Sequence, residues 1–437
     1  MVWLAEILWG VPMLVLLMTV GIVMTLRTNF VQVRGLPAAV RQVGRSLHGE
    51  NRSGFRAVCT ALAATVGTGN IAGVAGAIAL GGPGAVFWMW IAAFFGMATK
   101  YAEVVLAKQY RTKEGHGGPM YYIRFGMGER YRWLAAAFAF SAVLASIGIG
   151  NMTQTNTIAS AVLTALPSAE PQDASLITGF AAALVVGLVI LGGVKRLGEI
   201  TEKLVPLMAG IYILSMLGVI LLHWHRLGQV TADIFCGAFS PAAVLGGGAG
   251  IGLRQTIRWG VSRGVFSNEA GMGSAPIAHA DSELDIHEQG LLGIFEVFFD
   301  TIVLCSLTAF AILSSQLEIG FGSAAGIELA VKALETVFGP WAAAVSAVVC
   351  GLLALATLIS WQMYGYRCAE FLWGPAGAKG YNVCYVAFAV LGATMDLSGV
   401  WAAADICSGL MCLPNLLALL FLRKEIKSDY KTGCFSP

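Results

Sequence analysis

One apolar segment of membrane length is interrupted in its middle by glycines and polar residues. Residues 57–80 are otherwise apolar, but residues 65–70 are Thr-Val-Gly-Thr-Gly-Asn. A helix that breaks inside a bilayer exposes backbone N–H and C=O groups that hydrocarbon cannot solvate, so the break persists only where it lines a protein-enclosed cavity or holds a ligand. The segment therefore predicts a binding site at membrane depth.

The composition places this segment in a polytopic membrane protein. The chain is 57% hydrophobic and 12% charged, whereas average domains are about 25% charged. Eleven apolar stretches have roughly the 20-residue length that a spanning helix needs. These predicted spans cover residues 4–26, 57–80, 85–107, 133–163, 176–193, 204–222, 245–280, 291–314, 341–372, 383–395 extended slightly on both sides, and 401–422. The nine cysteines form no CxxC pair or Cys/His cluster, so we expect neither a disulfide nor a metal centre.

Loop charges predict the orientation of the spans. Arginine and lysine concentrate in residues 27–56, 108–132 and 195–203 and in the tail after residue 422, whereas the alternate loops are poor in both. By the positive-inside rule the N-terminus lies outside and the C-terminus in the cytoplasm. The acidic loop at residues 279–289 is the exception. Residues 115–133 predict an interfacial helix on the cytoplasmic face, or alternatively a gate that touches the site in one state.

A second interrupted segment lies five spans after the first. Residues 265–276, inside span 7, contain Ser267, Asn268, Glu269 and Met272 together with two glycines and two alanines. Discontinuous helices at matched positions are typical of inverted-repeat transporters. We therefore predict one transmembrane domain with two five-span repeats, residues 54–225 and 240–425, after an accessory helix at residues 1–30. The alternative is that the glycines only allow close helix packing.

The ends of a broken helix suit two kinds of ligand. The N–H groups of Thr68, Gly69 and Asn70 begin the second half-helix and suit a carboxylate, whereas the carbonyls that end the first half suit a cation. We predict that Na⁺ is bound by four groups from spans 2 and 9. These are the carbonyls of Ala63 and Val66 and the hydroxyls of Thr357 and Ser360. The alternative for each hydroxyl is a bond to its own i−4 carbonyl.

Several blocks of this sequence resemble the alanine or glycine:cation symporter family. The block at residues 81–96, Gly-Gly-Pro-Gly-Ala-Val-Phe-Trp-Met-Trp-Ile-Ala-Ala-Phe-Phe-Gly, looks like the family signature. Residues 65–70, 117–122 and 267–273 are similar to its recurrent blocks, and the match extends from span 1 to span 11. The resemblance implies an all-α LeuT-like fold and uptake of small neutral amino acids such as alanine or glycine with Na⁺, or sometimes H⁺.

Further residues complete the predicted amino-acid site. Gln154, in the middle of span 4, can donate to a carboxylate or bond to a neighbouring helix. Phe266 and Trp361 are candidate walls of a small pocket or packing residues. The predicted substrate-binding set is Thr68, Gly69, Asn70, Gln154, Phe266, Ser267, Asn268, Gly271, Met272 and Trp361.

Charged residues inside the spans are functional candidates by default. We interpret Glu269 as paired with Arg263, and Lys100 with Glu103. Asp300 and Glu296 are the candidate proton-relay groups if coupling is to H⁺.

Other function classes lack support. A channel needs a filter or ring, and an enzyme needs a catalytic constellation; neither pattern is found, and no Walker A motif occurs. The sequence thus predicts a symporter with no cofactor besides the coupling ion and no nucleic-acid partner, functional as a monomer in the bacterial inner membrane. The alternative is a carrier of another small zwitterion.

Overall fold

The protein is described by a computed structural model that covers residues 7–47, 52–166, 168, 170–240, 251–322, 326–395 and 397–426. The beginnings of predicted spans 1 and 7, at residues 4–6 and 245–250, and the tail after residue 426 lie outside these residues. Every element in the described ranges is helical. The principal helices are α1 Val11–Arg27, α2 Leu36–Leu47, α3 Arg52–Thr65, α4 Ala72–Gly81, α5 Ala85–Gln109, α6 Pro119–Gly126, α7 Arg132–Ile147, α8 Thr153–Ala165, α9 Pro171–Leu191, α10 Gly193–Leu222, α11 Leu227–Phe239, α12 Leu253–Asn268, α13 Ala275–His279, α14 Ile286–Val297, α15 Ser306–Ser314, α16 Glu328–Phe338, α17 Ala342–Thr394 and α18 Leu397–Phe421.

Membrane-length helices dominate this fold. Within the described residues, seven helices are long and apolar enough to cross a bilayer, or eight if α3 and α4 form one bent span. One of the seven, Glu328–Thr394, comprises α16 and α17 together. It has 67 residues, more than three times the roughly 20 that one crossing needs. It contains a break at Gly374, where φ is +70° before Pro375. The all-helical membrane class is confirmed, and the count of eleven spans stays a prediction.

Both predicted interruptions are breaks in the structure. Helices α3 and α4 are bent by 56° relative to each other, and a short 3₁₀ turn, Thr68–Asn70, lies between them. Helices α12 and α13 are separated by residues 269–274, where Glu269, Gly271 and Gly273 have positive φ. We call residues 66–71 the first break and residues 269–274 the second break.

Two further helices are locally widened. Residues Gly148–Met152 form a π-helical turn between α7 and α8, and residues Phe298–Cys305 form one between α14 and α15. Such turns release backbone groups from the regular ladder and are frequent at functional sites. They direct the side chains of Gln154 and Asp300 towards the first break.

The helices pack into two groups around the breaks. Helix α5 packs against α1, α12 and α14, and helix α17 packs against α7, α8 and α9. Helix α1 is joined to α18 near both of its ends. Trp9 Nε1 donates to the carbonyl of Asp405, and Arg27 donates to the carbonyls of Arg423 and Lys424.

Candidate functional site

At the first break, the second half-helix begins inside the protein. The N–H of Gly67 donates to Asn70 Oδ1 over 3.0 Å, and the N–H of Asn70 donates to the carbonyl of Gly67. A Cβ on Gly67 would lie 2.6 Å from Thr357 Oγ1, so only glycine allows α17 to approach this closely. The N–H groups of Thr68 and Gly69 precede the first intrahelical acceptors, as at any helix start.

A buried carboxylate connects the two broken helices. Asn70 Nδ2 donates to Asp300 Oδ1 over 2.7 Å, and Ser267 Oγ donates to Asp300 Oδ2 over 2.8 Å. Thr301 also donates to Oδ2, and Thr308 donates to the carbonyl of Asn70. Asp300 is fully buried. Its carboxylate therefore holds the first break and the end of α12 at a fixed separation.

Glu269 begins the second break in a left-handed conformation, with φ of 55°. Trp361 Nε1 donates to its Oε1 over 3.0 Å, and Ser274 Oγ donates to its Oε2. The interpretation that Glu269 pairs with Arg263 is therefore wrong, because the Arg263 guanidinium lies over the rings of Trp259 and Phe266 instead. Trp361 consequently joins α17 to the second break.

Side chains replace the missing helical bonds of Gly271. Its N–H donates to Glu103 Oε1 over 3.1 Å, and its carbonyl accepts from Asn415 Nδ2 over 2.9 Å. Asn415 Nδ2 also donates to Glu103 Oε1, and Tyr122 Oη donates to Asn415 Oδ1. Both backbone groups of one unwound residue are thus paired inside the protein, which the membrane interior requires.

Lys100 has a partner other than the one the sequence suggested. Its Nζ lies 3.1 Å from Glu296 Oε1, while His279 Nε2 lies 3.0 Å from Glu296 Oε2, and all three side chains are fully buried. The interpretation of a local Lys100–Glu103 pair is wrong, because Glu103 turns towards Gly271. The ion pair instead ties α5 to α14.

The residues predicted for Na⁺ lie at the first break or on the adjacent turns of α17. Ala63 and Val66 are fully buried. Thr357 Oγ1 donates to the carbonyl of Leu353, which is the i−4 bond considered as the alternative. Ser360 is also fully buried, but its hydroxyl has no hydrogen-bond partner in the described part of the chain.

Only some of the predicted substrate residues come together. A Cβ on Gly69 would lie 3.8 Å from both Phe266 and Ser267, and Thr68 Oγ1 donates to Gln154 Oε1 over 3.3 Å. The amide nitrogen of Gln154 is used by the carbonyl of Ile149. These residues therefore lie close together at the first break.

Four other predicted substrate residues have structural partners. The Asn70 side chain accepts from the N–H of Gly67 and donates to Asp300. The Asn268 side chain donates to Thr301. Gly271 is held by Glu103 and Asn415 and faces Leu17 and Leu416, while Met272 is packed in the core. These contacts give the four residues a role in shaping the breaks.

A cavity opens beside the N-terminal end of α3. It is lined by residues of both broken segments and of α10 and α17, among them Arg56, Thr60, Gly198, Asp281, Ser282 and Met363. Helix α3 runs from this cavity to the first break.

Sequence reasoning missed the partners that come from distant helices. Asn415, Tyr122 and His279 had no assigned role, although an asparagine and a histidine among apolar residues are a signal of buried polar contacts. Asp300 was considered for proton relay but not as a bridge between the breaks. The π-helical turns that direct such side chains have no recognisable sequence pattern here.

Comparison with known proteins assigns the chain to a family. A model described as the sodium:alanine symporter family matches residues 1–432. The sodium/alanine symporter AgcS of Methanococcus maripaludis is 43% identical, over 97% of this chain and 94% of the relative. A protein described as a probable sodium/glutamine symporter, GlnT of Bacillus subtilis, is 38% identical over 98% of this chain and 88% of the relative.

A third relative, the amino-acid carrier protein AlsT of Bacillus subtilis, is 36% identical over 95% of this chain and 88% of its own length. The match spans both breaks and every helix named above. With its two broken helices at one buried site, the chain belongs to the sodium:alanine symporter family, whose members are transporters and not enzymes.

Proposed function

We propose that this protein imports small neutral amino acids, alanine and glycine, by symport with Na⁺ and alternating access. The observation that carries the proposal is the first break, where the start of a half-helix meets Thr357 of α17 and Phe266 and Ser267 of α12. A helix start inside the protein supplies desolvated N–H donors for a carboxylate, and three helices from separate parts of the chain enclose it.

The amino acid binds with its carboxylate on the N–H groups of Thr68 and Gly69. Asn70 contributes only indirectly, because its N–H already donates to the carbonyl of Gly67. Phe266 borders the space next to Gly69, and Gln154 orients the Thr68 hydroxyl. The close approach of Phe266 favours a small side chain on the substrate.

Sodium binds between the end of α3 and α17. The carbonyls of Ala63 and Val66 end a half-helix and carry its negative dipole. The hydroxyl of Ser360 is buried without a partner, and Thr357 Oγ1 keeps lone pairs for a cation while it donates to Leu353. A cation at this position gives the buried Ser360 oxygen a partner.

Alternating access follows from the repeat interpretation. In this proposal α3–α4 and α12–α13 are the first spans of two inverted five-span repeats, and α17 contributes two crossings separated at Gly374. The N-terminus lies outside and the cavity at Arg56 and Asp281 faces the cytoplasm. The protein then acts as a monomer in the bacterial inner membrane.

The alternative substrate is a larger zwitterion such as glutamine, because one relative is named for glutamine. The test is uptake of labelled alanine, glycine and glutamine into proteoliposomes with an inward Na⁺ gradient, with K⁺ as the control. Accumulation of alanine only with Na⁺ supports the proposal. Preferential accumulation of glutamine selects the alternative, and equal uptake with K⁺ contradicts sodium coupling.

A further inference from the structure

Four carboxyl groups lie buried around the two breaks, and three of them have donors on both oxygens. The four are Glu103, Glu269, Glu296 and Asp300. Glu296 accepts from Lys100 and His279, Glu269 from Trp361 and Ser274, and Asp300 from Asn70, Ser267 and Thr301. Ionised forms of these three are therefore stabilised by hydrogen bonds or by an ammonium group.

Glu103 differs from the other three. Its Oε1 accepts from the N–H of Gly271 and from Asn415 Nδ2, but its Oε2 is buried and has no hydrogen-bond partner among the described residues. An anionic oxygen without a donor inside a membrane protein costs far more free energy than a neutral hydroxyl in the same place. A proton on Oε2 removes this cost and leaves both bonds to Oε1 intact.

The one ammonium group nearby, which by itself favours an ionised Glu103, is shared with other carboxylates. Lys100 is one turn away on α5, but its ammonium group is paired with Glu296. The titratable groups that act on Glu103 from the packed helices are Lys100, Glu296, Tyr122 and Cys412, and Glu269 acts on the same Lys100 and Cys412. One ammonium thus faces three carboxyl groups, and a bound proton reduces that imbalance.

We propose that Glu103 is a proton-binding site of the transporter, occupied at Oε2 in the structure described above. The proton comes from water and returns to it, and only the O–H bond forms and breaks. Loss of the proton leaves an anionic Oε2 buried without a donor, which destabilises the second break where Oε1 accepts from Gly271. This inference rests on the proposed symport function only for its effect on uptake.

The direct test is infrared difference spectroscopy on the full-length protein in liposomes, perfused alternately with acidic and alkaline buffer. The native protein should show the carbonyl band of a buried carboxylic acid that disappears at alkaline pH. Glu103→Gln, which keeps an acceptor for Gly271 and places an NH₂ at Oε2, should lack the band. Glu103→Asp should shift it, and the matched buried variant Asp300→Asn should retain it.

The second measurement is the pH dependence of alanine uptake at a constant Na⁺ gradient. Native uptake should fall by up to about tenfold for each pH unit above the titration midpoint, since one proton is involved, and Glu103→Gln should remove this dependence. A band that persists in Glu103→Gln, or that is absent from the native protein, overturns the proposal. The infrared result does not depend on transport, so failure of alanine uptake alone contradicts only the proposed function.

Discussion

The two breaks both interrupt helices but differ in how their backbone groups are used. In the second break, both polar groups of Gly271 are bound by Glu103 and Asn415, and the N–H of Ala270 is bound by Asn268. In the first break, the N–H groups of Thr68 and Gly69 lie at the start of a half-helix beside Phe266. The backbone groups of the second break are bound by the protein's own side chains, whereas the N–H groups of Thr68 and Gly69 in the first break are those we propose for the substrate carboxylate.

This difference indicates that the two breaks have different roles although their sequences are similar. Both breaks contain glycines and a hydroxyl residue, and an asparagine lies within the first break and directly before the second. The second break carries the carboxylate Glu269 and is fastened by α5, α17 and α18, whereas the first break is fastened mainly through Asp300. Substitutions at the first break should therefore change binding, and those at the second break should change stability.

The largest expected effect is on binding at the first break. Gly69→Leu should abolish alanine binding, because a branched side chain there fills the space next to Phe266, whereas the unfolding temperature should stay near the native value. Gly187→Leu, on α9 where a Cβ meets no atom within 4 Å, is the control. Isothermal titration and thermal unfolding provide the two readouts. Native affinity in a folded Gly69→Leu protein would place the carboxylate elsewhere.

At the second break, the expected effect is on stability. Asn415→Leu leaves the Gly271 carbonyl without a partner and removes a donor from Glu103, and should lower the free energy of unfolding by about 3 kcal/mol. Asn382→Leu, which removes the half-buried acceptor of Gln362, should cost about 1 kcal/mol. Thermal unfolding in detergent compares the two. Equal unfolding temperatures for both variants would contradict the distinction between the breaks.

A smaller effect is expected for the ion site. Ser360→Ala and Thr357→Ala should each raise the Na⁺ concentration that gives half-maximal uptake by about tenfold, which corresponds to 1.4 kcal/mol. The alanine concentration for half-maximal uptake at saturating Na⁺ should change less. Ser314→Ala is the matched control, because that buried hydroxyl donates to the carbonyl of Ala311. Unchanged Na⁺ dependence in both variants would remove α17 from the site.

A weaker effect is expected on the selectivity for substrate size. Phe266→Ala enlarges the space beside Gly69 and should shift the ratio of glutamine to alanine uptake several-fold towards glutamine, within the roughly 1–3 kcal/mol that pocket volume contributes to selectivity. Phe125→Ala, an exposed position on α6, should leave the ratio unchanged. A competition series from glycine to glutamine measures the shift. An unaltered series in Phe266→Ala would exclude this ring from the pocket wall.

The smallest expected effect concerns the loop that precedes α6 and packs against α13, where Gly118 approaches Ile277. Burial, followed by the positive charge of Arg367, lowers the pKa of His116 from its usual 6.5, against weaker opposing effects of Glu370, Asp281 and Glu114. The folded protein favours the neutral form of His116. Its contribution to the free energy of unfolding is therefore fully present above pH 6.5 and decreases as the pH falls below that value.

The unfolding temperature of the native protein should therefore decrease slightly more on acidification than that of His116→Gln. Acidification protonates His116, which then no longer accepts from Arg367 Nη1 over 2.6 Å. Parallel pH profiles of unfolding for the two proteins would show that His116 does not titrate in this range.

Local sequence patterns predicted the helices and both breaks, but not the partners across helices. Glycine and polar residues inside an apolar run identify a break because they violate a strong local rule. The pairing of Lys100 with Glu296 and of Glu269 with Trp361 depends on helix rotation, which the sequence does not encode locally. Proximity in the sequence therefore favours two pairs that are wrong. These are Lys100 with Glu103, three residues apart, and Glu269 with the nearby Arg263.

The attachment of α1 to α18 has a practical consequence for measuring motion in this protein. Trp9 and Arg27 fasten the two helices near both ends, so they should travel as one rigid body. A pair of spin labels on α1 and α18 would report a constant distance throughout a turnover and would serve as an internal ruler. Labels on α1 and α9 would instead span the two helix groups and record their relative displacement.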